Sequence, residues 1–277
     1  MGFELPEVIN LSKQMETHLI GKTINEIILG ERCNNIIKQG MCNLDKRKDE
    51  ILASPIKSVE GRGKWIFVKF ENEMFLLLGE IIGKFRFCTD IDQIPSEYHI
   101  IFKFEEGTAL TFQSSLYAFL VVADEKQLKE HKYAGNIGLT PLDKEFTYSY
   151  FDKLLSQYKN RGIKGVLNLQ GEISGLGNAY INDILYESCI HPKTKISSLK
   201  PNKKKKLFEN ILKIIKLAVK DGGSSTEQDL FGQHGKHVRK MNQHSKDMKC
   251  GRCGFKIVKI NVLGSSSYIC PECQKLL

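Results

Sequence analysis

Four cysteines near the C-terminus follow the pattern Cys250-x2-Cys253-x16-Cys270-x2-Cys273, the strongest chemical signal in the chain. Two CxxC knuckles set apart by a short hydrophobic segment can place four thiolates tetrahedrally around one Zn²⁺, with a β-hairpin between them. A zinc ribbon is therefore expected. Two redox dithiols would use the same residues, but nothing around either knuckle resembles a βαβ redox unit. Ribbons of this kind rarely catalyse; they hold a hairpin rigid against a partner, and the charge of the chain bears on which partner that is.

Lys and Arg number 41 against 32 Asp and Glu, a net +9. Residues 200 to 259 hold 16 of the basic residues and 5 of the acidic ones, a net +11, so the rest of the chain sums to −2. A basic third that ends in a zinc ribbon fits phosphate binding, where each neutralised phosphate releases counterions. A membrane surface is the rival partner, but no segment joins a basic face to exposed Trp or Phe at helical spacing. At 277 residues and 41% apolar composition the chain has ample material for a packed core in two or three domains. The first residues carry Glu4, Glu7 and Glu16 and no apolar signal region, and no apolar run is long enough to span a bilayer. A soluble, intracellular, cytoplasmic protein is expected, associated with the nucleoid if bacterial. Cys33, Cys42, Cys88 and Cys189 have no paired spacing and read as reduced packing residues.

The elements that must position this chemistry are legible in outline. Residues 5–20 repeat apolar positions at helical intervals, with Pro6 at the start and Gly21 after the end. From Thr23 to about Ala123 short β-rich runs follow: Trp65–Phe70, Met74–Leu78, Lys84–Phe87, Tyr98–Phe104 and Ala109–Phe112, which suggest a β-sandwich. Helical patterns dominate from Asp143 to Lys220 in four segments. In the last, Ser197 or Ser198 is the expected cap, Pro201 suits the first turn, Leu207, Ile211, Ile214, Ile215 and Ala218 form the apolar stripe, and Gly222-Gly223 ends it. The lysines of 203–206 read mostly as a solvated face. His234, His237 and His244 lie in a polar loop, but four cysteines already supply a complete ligand set.

The stretch Gly171 to Pro192 reads as a helix, a tight Gly175-x-Gly177 turn and a second helix. Glycines there let backbone N–H groups at the second helix's N-terminus approach a phosphate, and Asn178 adds a side-chain donor. Together with Phe3-Glu-Leu-Pro-Glu-Val8, Gly63-Lys64 entering a strand, and the terminal ribbon, this resembles the Fpg/Nei family of DNA glycosylases along the whole chain. The resemblance implies an α+β multidomain protein: an N-terminal helix and β-sandwich over residues 1–135, a helix–two-turn–helix domain over 136–223, and a loop and zinc-ribbon finger over 224–277, with DNA crossing a cleft between the halves. It implies Glu4 as catalytic acid, Glu7 as the second acidic residue, Lys64 beside the lesion's phosphate and sugar, and Asn178 as a phosphate-binding residue. Lys164 joins them as a candidate DNA contact. The expected partner is damaged double-stranded DNA and the expected cofactor Zn²⁺, with no organic cofactor and no membrane, in a monomer.

Several positions depart from the family. Its motif begins Met-Pro-Glu, with the processed proline as nucleophile; here Phe3 precedes Glu4 and Gly2 is additional. Ser265 stands where the ribbon hairpin presents an arginine. The residues that fill the gap left by a flipped base are replaced by Leu78-Gly79-Glu80-Ile81 and Ser115-Leu116-Tyr117-Ala118, with Tyr117 or Leu116 as a candidate wedge. An α-amine with a pKa of about 7.7–8.0 is far more often neutral than a lysine amine, so Gly2, exposed by removal of Met1, is the candidate nucleophile. It lies one residue farther from Glu4, up to about 3.8 Å, and a misplacement of about 1 Å can cost a hundredfold in rate. Two functions follow: a DNA glycosylase/AP lyase, or a glycosylase that uses water; and alternatively a catalytically impaired relative that binds damaged or structured nucleic acid without cleaving it.

Overall fold

Leu5, Val8, Leu11, Met15 and Leu19 recur at helical spacing, and all are buried on one face of α1 (Leu5–Leu19). A computed structural model describes residues 2–276. After α1 come β1 (Ile24–Leu29), two short helices, α2 (Asn34–Lys38) and α3 (Leu44–Arg47), and then β2 (Ile56–Arg62), β3 (Trp65–Phe70), β4 (Phe75–Gly79), β5 (Gly83–Cys88), β6 (Ile100–Phe104), β7 (Ala109–Ser114), β8 (Phe119–Ala123) and α4 (Glu125–Glu130). The strands form two four-stranded antiparallel sheets, ordered β1-β6-β7-β5 and β2-β3-β4-β8. This is the expected sandwich. The sequence pattern singled out neither β1 nor β2, and each carries a bulge, at Ile24/Glu26 and Ile56/Ser58, that interrupts the two-residue alternation.

Phe70, Phe85, Phe102, Phe104 and Phe112 are fully buried, and with Phe3 and the inner face of α1 they belong to one apolar cluster. Truncating Leu11 in such a core costs about 2–5 kcal/mol. Helix α1 lies directly on β2 at Gly61, where a β-carbon would stand 2.3 Å from Ser12 Oγ. Any larger residue at Gly61 would push α1, and the carboxylates at its N-terminus, off the sheet.

The remaining elements are α5 (Tyr148–Gln157), α6 (Ile163–Leu167), α7 (Asn178–Glu187), α8 (Pro201–Lys220) and the hairpin of β9 (Val258–Val262) and β10 (Ser265–Ile269). The stripe Leu207, Ile211, Ile214, Ile215 and Ala218 is buried as expected, and Pro201 opens α8. Two details differ from the sequence reading. Ser197 and Ser198 form a 3₁₀ turn and Lys200 is the N-cap, because Pro201 fixes the extended backbone of the residue before it. Residues 171–177 are turns rather than helix; the helix preceding the glycine turn is α6, which ends at Leu167.

Contacts group the chain into two compact units: one runs up to Asn136 and includes Gly222–Lys236, the other joins Ile137–Asp221 to the chain from His237 onward. The segment 222–236 belongs with the sandwich because Ser224 N–H donates to Glu7 at 2.8 Å and Phe87 N–H to the Leu230 carbonyl at 2.9 Å. No helix among the described residues is long and apolar enough to cross a membrane.

Candidate functional site

In the sandwich unit the chemistry gathers at the start of α1. Glu4 is the N-cap, with extended backbone, and forms a reciprocal capping box with Glu7, whose Oε2 accepts the Glu4 N–H at 3.0 Å. Glu7 Oε1 accepts the Ser224 N–H at 2.8 Å. Both carboxylates are buried, yet each keeps polar partners, and a helix N-terminus is a favourable place for negative charge. The loop reaches Glu7 because Gly223 has φ +95° and no side chain: a β-carbon there would lie 3.2 Å from Glu7 Cγ and Oε1. The Gly222-Gly223 pair therefore ends α8 and also lets the backbone approach a carboxylate. Sequence reasoning saw only the first role, and Ser224 was missed.

Phe3 is buried in the sandwich core, and its N–H donates to the Ile81 carbonyl at 2.8 Å. Gly2 sits against the same loop, where a β-carbon would stand 3.1 Å from both Ile81 O and Ile82 Cγ1. A β-carbon there would be tight, and the Ile82 side chain would have to give by a few tenths of an ångström. Met1, whose removal would expose the Gly2 amine, lies outside the described residues. Ile82 N–H donates to the Tyr117 carbonyl at 3.0 Å, and Ser115 N–H to the Ile82 carbonyl at 2.8 Å. The 115–118 loop is thereby tied beside the N-terminus; Leu116 is its exposed apolar tip at 68%, and Tyr117 is half-buried. Lys64 completes the group at the entrance to β3, with Nζ 3.6 Å from Glu80 Oε2. Gly79, next to Glu80, must be glycine because the Trp65 ring lies over it: a β-carbon would meet that ring at 2.1 Å.

In the helical unit a second group forms where α7 meets the β9–β10 hairpin. Asn178, the first residue of α7, donates from Nδ2 to the Ser266 carbonyl at 3.0 Å, and Ser265 Oγ donates to Asn178 Oδ1 at 3.4 Å. Lys164 does not present its ammonium to solvent as a DNA contact. It is 3% exposed, and Nζ donates to Ser265 Oγ at 2.9 Å and Ser267 Oγ at 2.7 Å. Burial among neutral hydroxyls lowers its pKa to about 8. The run of small hydroxyl residues at 265–267 was the available sign, since its hydroxyls are what hold the ammonium.

Cys250, Cys253, Cys270 and Cys273 bring all four Sγ atoms within 4.8 Å of one another. Individual separations are 3.9 Å for Cys250–Cys273 and 3.4 Å for both Cys253–Cys270 and Cys253–Cys273. A tetrahedron with Zn–S bonds of about 2.3 Å has edges of about 3.8 Å, so these thiols fit a structural Zn²⁺, which they bind. The Tyr186 hydroxyl lies 3.2 Å from Cys250 Sγ, and Arg252 covers the Tyr186 ring at 4.4 Å, an outer layer that fixes the first knuckle. Among the described residues no other cluster of three or more His, Cys, Asp or Glu side chains is placed to hold a metal. Cys33, Cys42 and Cys88 are buried free thiols, and Cys189 accepts from Arg252 at 3.1 Å.

Three family profiles match the chain: the N-terminal domain of formamidopyrimidine-DNA glycosylase over residues 3–115, its H2TH domain over 137–229, and a zinc finger found in FPG and IleRS over 249–276. A formamidopyrimidine-DNA glycosylase from Enterococcus faecalis is 29% identical over 277 residues, covering 99% of this chain and 97% of the relative. One from Bacillus cereus is 30% identical over 279 residues, covering 98% of each. The structure is similar to Lactococcus lactis Fpg in complex with abasic-site-containing DNA, with a TM-score of 0.85, 26% identity, and coverage of 98% of this chain and 99% of that one.

Proposed function

This chain belongs to the formamidopyrimidine-DNA glycosylase family, and from that premise we propose how its residues divide the work of a base-excision-repair DNA glycosylase that binds damaged duplex DNA and removes the altered base. The observation that carries the assignment of roles is the buried Glu4–Glu7 pair at the head of α1, held against Ser224 and flanked by Gly2. A neutral Gly2 amine attacks C1′ of the damaged nucleotide; the bond from C1′ to the base breaks, and the base leaves with that electron pair and takes up a proton. On attack the amine gives up a proton to the Glu4 carboxylate; Glu4 then delivers that proton to the sugar ring oxygen, the ring opens, and the nitrogen lone pair closes a C=N bond, the Schiff base from which strand cleavage proceeds. Glu7 holds the backbone of Glu4 and of the 222–236 segment in place. Lys64 and Asn178 grip phosphates, which position the duplex without reading sequence. The four cysteines hold Zn²⁺, which supplies structural rigidity to the hairpin. The protein acts as a monomer and, in a bacterial cell, on nucleoid DNA.

Borohydride trapping with abasic-site and oxidised-base duplexes tests this. Processed protein is expected to give a covalent adduct that is lost when the N-terminus is acetylated and falls sharply in Glu4→Gln. Deleting Gly2 and changing Phe3→Pro rebuilds the family's Met-Pro-Glu start and should raise lyase activity. Base release without an adduct would replace the amine by water. Neither adduct nor base release from either protein would overturn the enzymatic reading and leave a DNA-binding scaffold.

A further inference from the structure

Lys64 and Glu80 stand opposite each other just beyond the ladder of β3 and β4. That ladder pairs Trp65 with Gly79, so Lys64 and Glu80 are the next facing positions, and Glu80 N–H donates to the Lys64 carbonyl at 3.2 Å. Their side chains close the pair, Nζ to Oε2 at 3.6 Å, with the lysine side chain 14% and the glutamate 27% exposed. Glu80 also adopts φ +45°, a conformation that glycine takes freely and a residue with a β-carbon adopts at a cost. A strained residue of this kind points to a side chain with a task. The carboxylate sits on the Lys64 ammonium, two residues from the Ile82 backbone to which the 115–118 loop is tied.

We propose that Glu80 sets the affinity of the protein for nucleic acid by competing with a backbone phosphate for Lys64. The proposal rests on the reading of Lys64 as a phosphate contact. In the free protein the carboxylate neutralises and orients the ammonium. A phosphate that approaches Lys64 takes the place of the carboxylate, which it can do because partly exposed ion pairs are weak. The displaced carboxylate then stays within a few ångströms of the phosphate, and two anions this close repel. Binding at Lys64 is therefore weaker, and less salt-dependent, than a lone lysine would give, because the phosphate gains a cation and an anion together.

The test is titration of the full zinc-loaded chain with an abasic-site duplex at several salt concentrations, using native protein, Glu80→Gln, Lys64→Ala and the double variant. Glu80→Gln keeps the side-chain size and the backbone, and a thermal melt confirms its fold. It is expected to bind about three- to tenfold tighter at low salt, the range of one exposed ion pair and its repulsion, with a slope of log K against log salt steeper by about 0.9. The gain should vanish in the Lys64→Ala background. Glu80→Gln that binds no tighter, or that binds tighter equally without Lys64, overturns the proposal. If Lys64→Ala itself leaves affinity and slope unchanged, the phosphate contact is what fails, and the competition fails with it.

Discussion

Glu4 and Glu7 are three residues apart and lock each other through the backbone at the head of one helix, whereas Lys164 and Asn178 reach partners 101 and 88 residues away, at Ser265 and Ser266 on the hairpin. The Glu4–Glu7 box itself needs only the first turn of α1 and its local bonds, although the Ser224 N–H that also holds Glu7 comes from 217 residues away. The second exists only while the zinc knuckles hold the hairpin in shape. The Glu4–Glu7 box is thus closed locally and the Lys164 and Asn178 contacts at long range, so the two should fail under different insults.

The largest expected effect breaks the long-range half alone. Cys270→Ser or chelation removes a metal whose binding is worth about 10–16 kcal/mol in zinc-finger peptides, so the ribbon should unfold, and Lys164 and Asn178 should lose their partners. DNA affinity should drop by more than tenfold, read by titration, while the Glu4–Glu7 turn stays protected in amide hydrogen exchange; loss of protection at both places would show that the halves are coupled. Gly223→Ala attacks the other half. A methyl group at φ +95° beside Glu7 should destabilise the protein by about 1–3 kcal/mol and pull Ser224 away, slowing base excision with zinc content unchanged.

Asn178→Ala should cost about 1 kcal/mol of binding, equally for every flanking sequence, because a phosphate contact carries no base information; a changed sequence preference would remove it from the backbone contacts. Ser265→Arg sharpens the same point: the new cation should steepen the salt slope by about one, but it displaces the hydroxyl that holds the Lys164 ammonium, so melting should occur at lower temperature unless Lys164→Met accompanies it.

The smallest effect is a pH dependence. Lys164 has a folded-state pKa of about 8 against an ordinary 10.5. Below about pH 8 both states carry the proton, and the cost of burying the ammonium is fully present. Between these values the unfolded chain binds more protons than the folded one, so stability rises with pH across that window. Lys164→Met should flatten the rise in urea denaturation at saturating zinc, and an unchanged rise would mean that another group titrates.

The metal site was legible in the sequence because four thiolates at two fixed spacings constrain both ligand and geometry, and α1 was legible because its apolar period and its Pro6 and Gly21 punctuation are local signals. The same holds for the buried stripe of α8. Strands β1, β2 and β8 were not singled out: bulges break the alternation of β1 and β2, and β8, in unbroken register, is a short apolar run that periodicity alone does not tell from helix. Glu80 gave no sign of its role, because a salt bridge between positions 64 and 80 depends on the register of β3 against β4, which one-dimensional pattern does not fix. Lys164 reads as one more cation in a basic chain; its burial under Ser265 and Ser267 is decided by the docking of a hairpin about a hundred residues later. The sequence by itself thus determined the zinc ligands and the helix that carries the two acids, both set by short spacings along the chain. Which partners hold the cations, Glu80 for Lys64 and two serines for Lys164, only the tertiary structure decided, because an ammonium's partners are chosen by proximity in space.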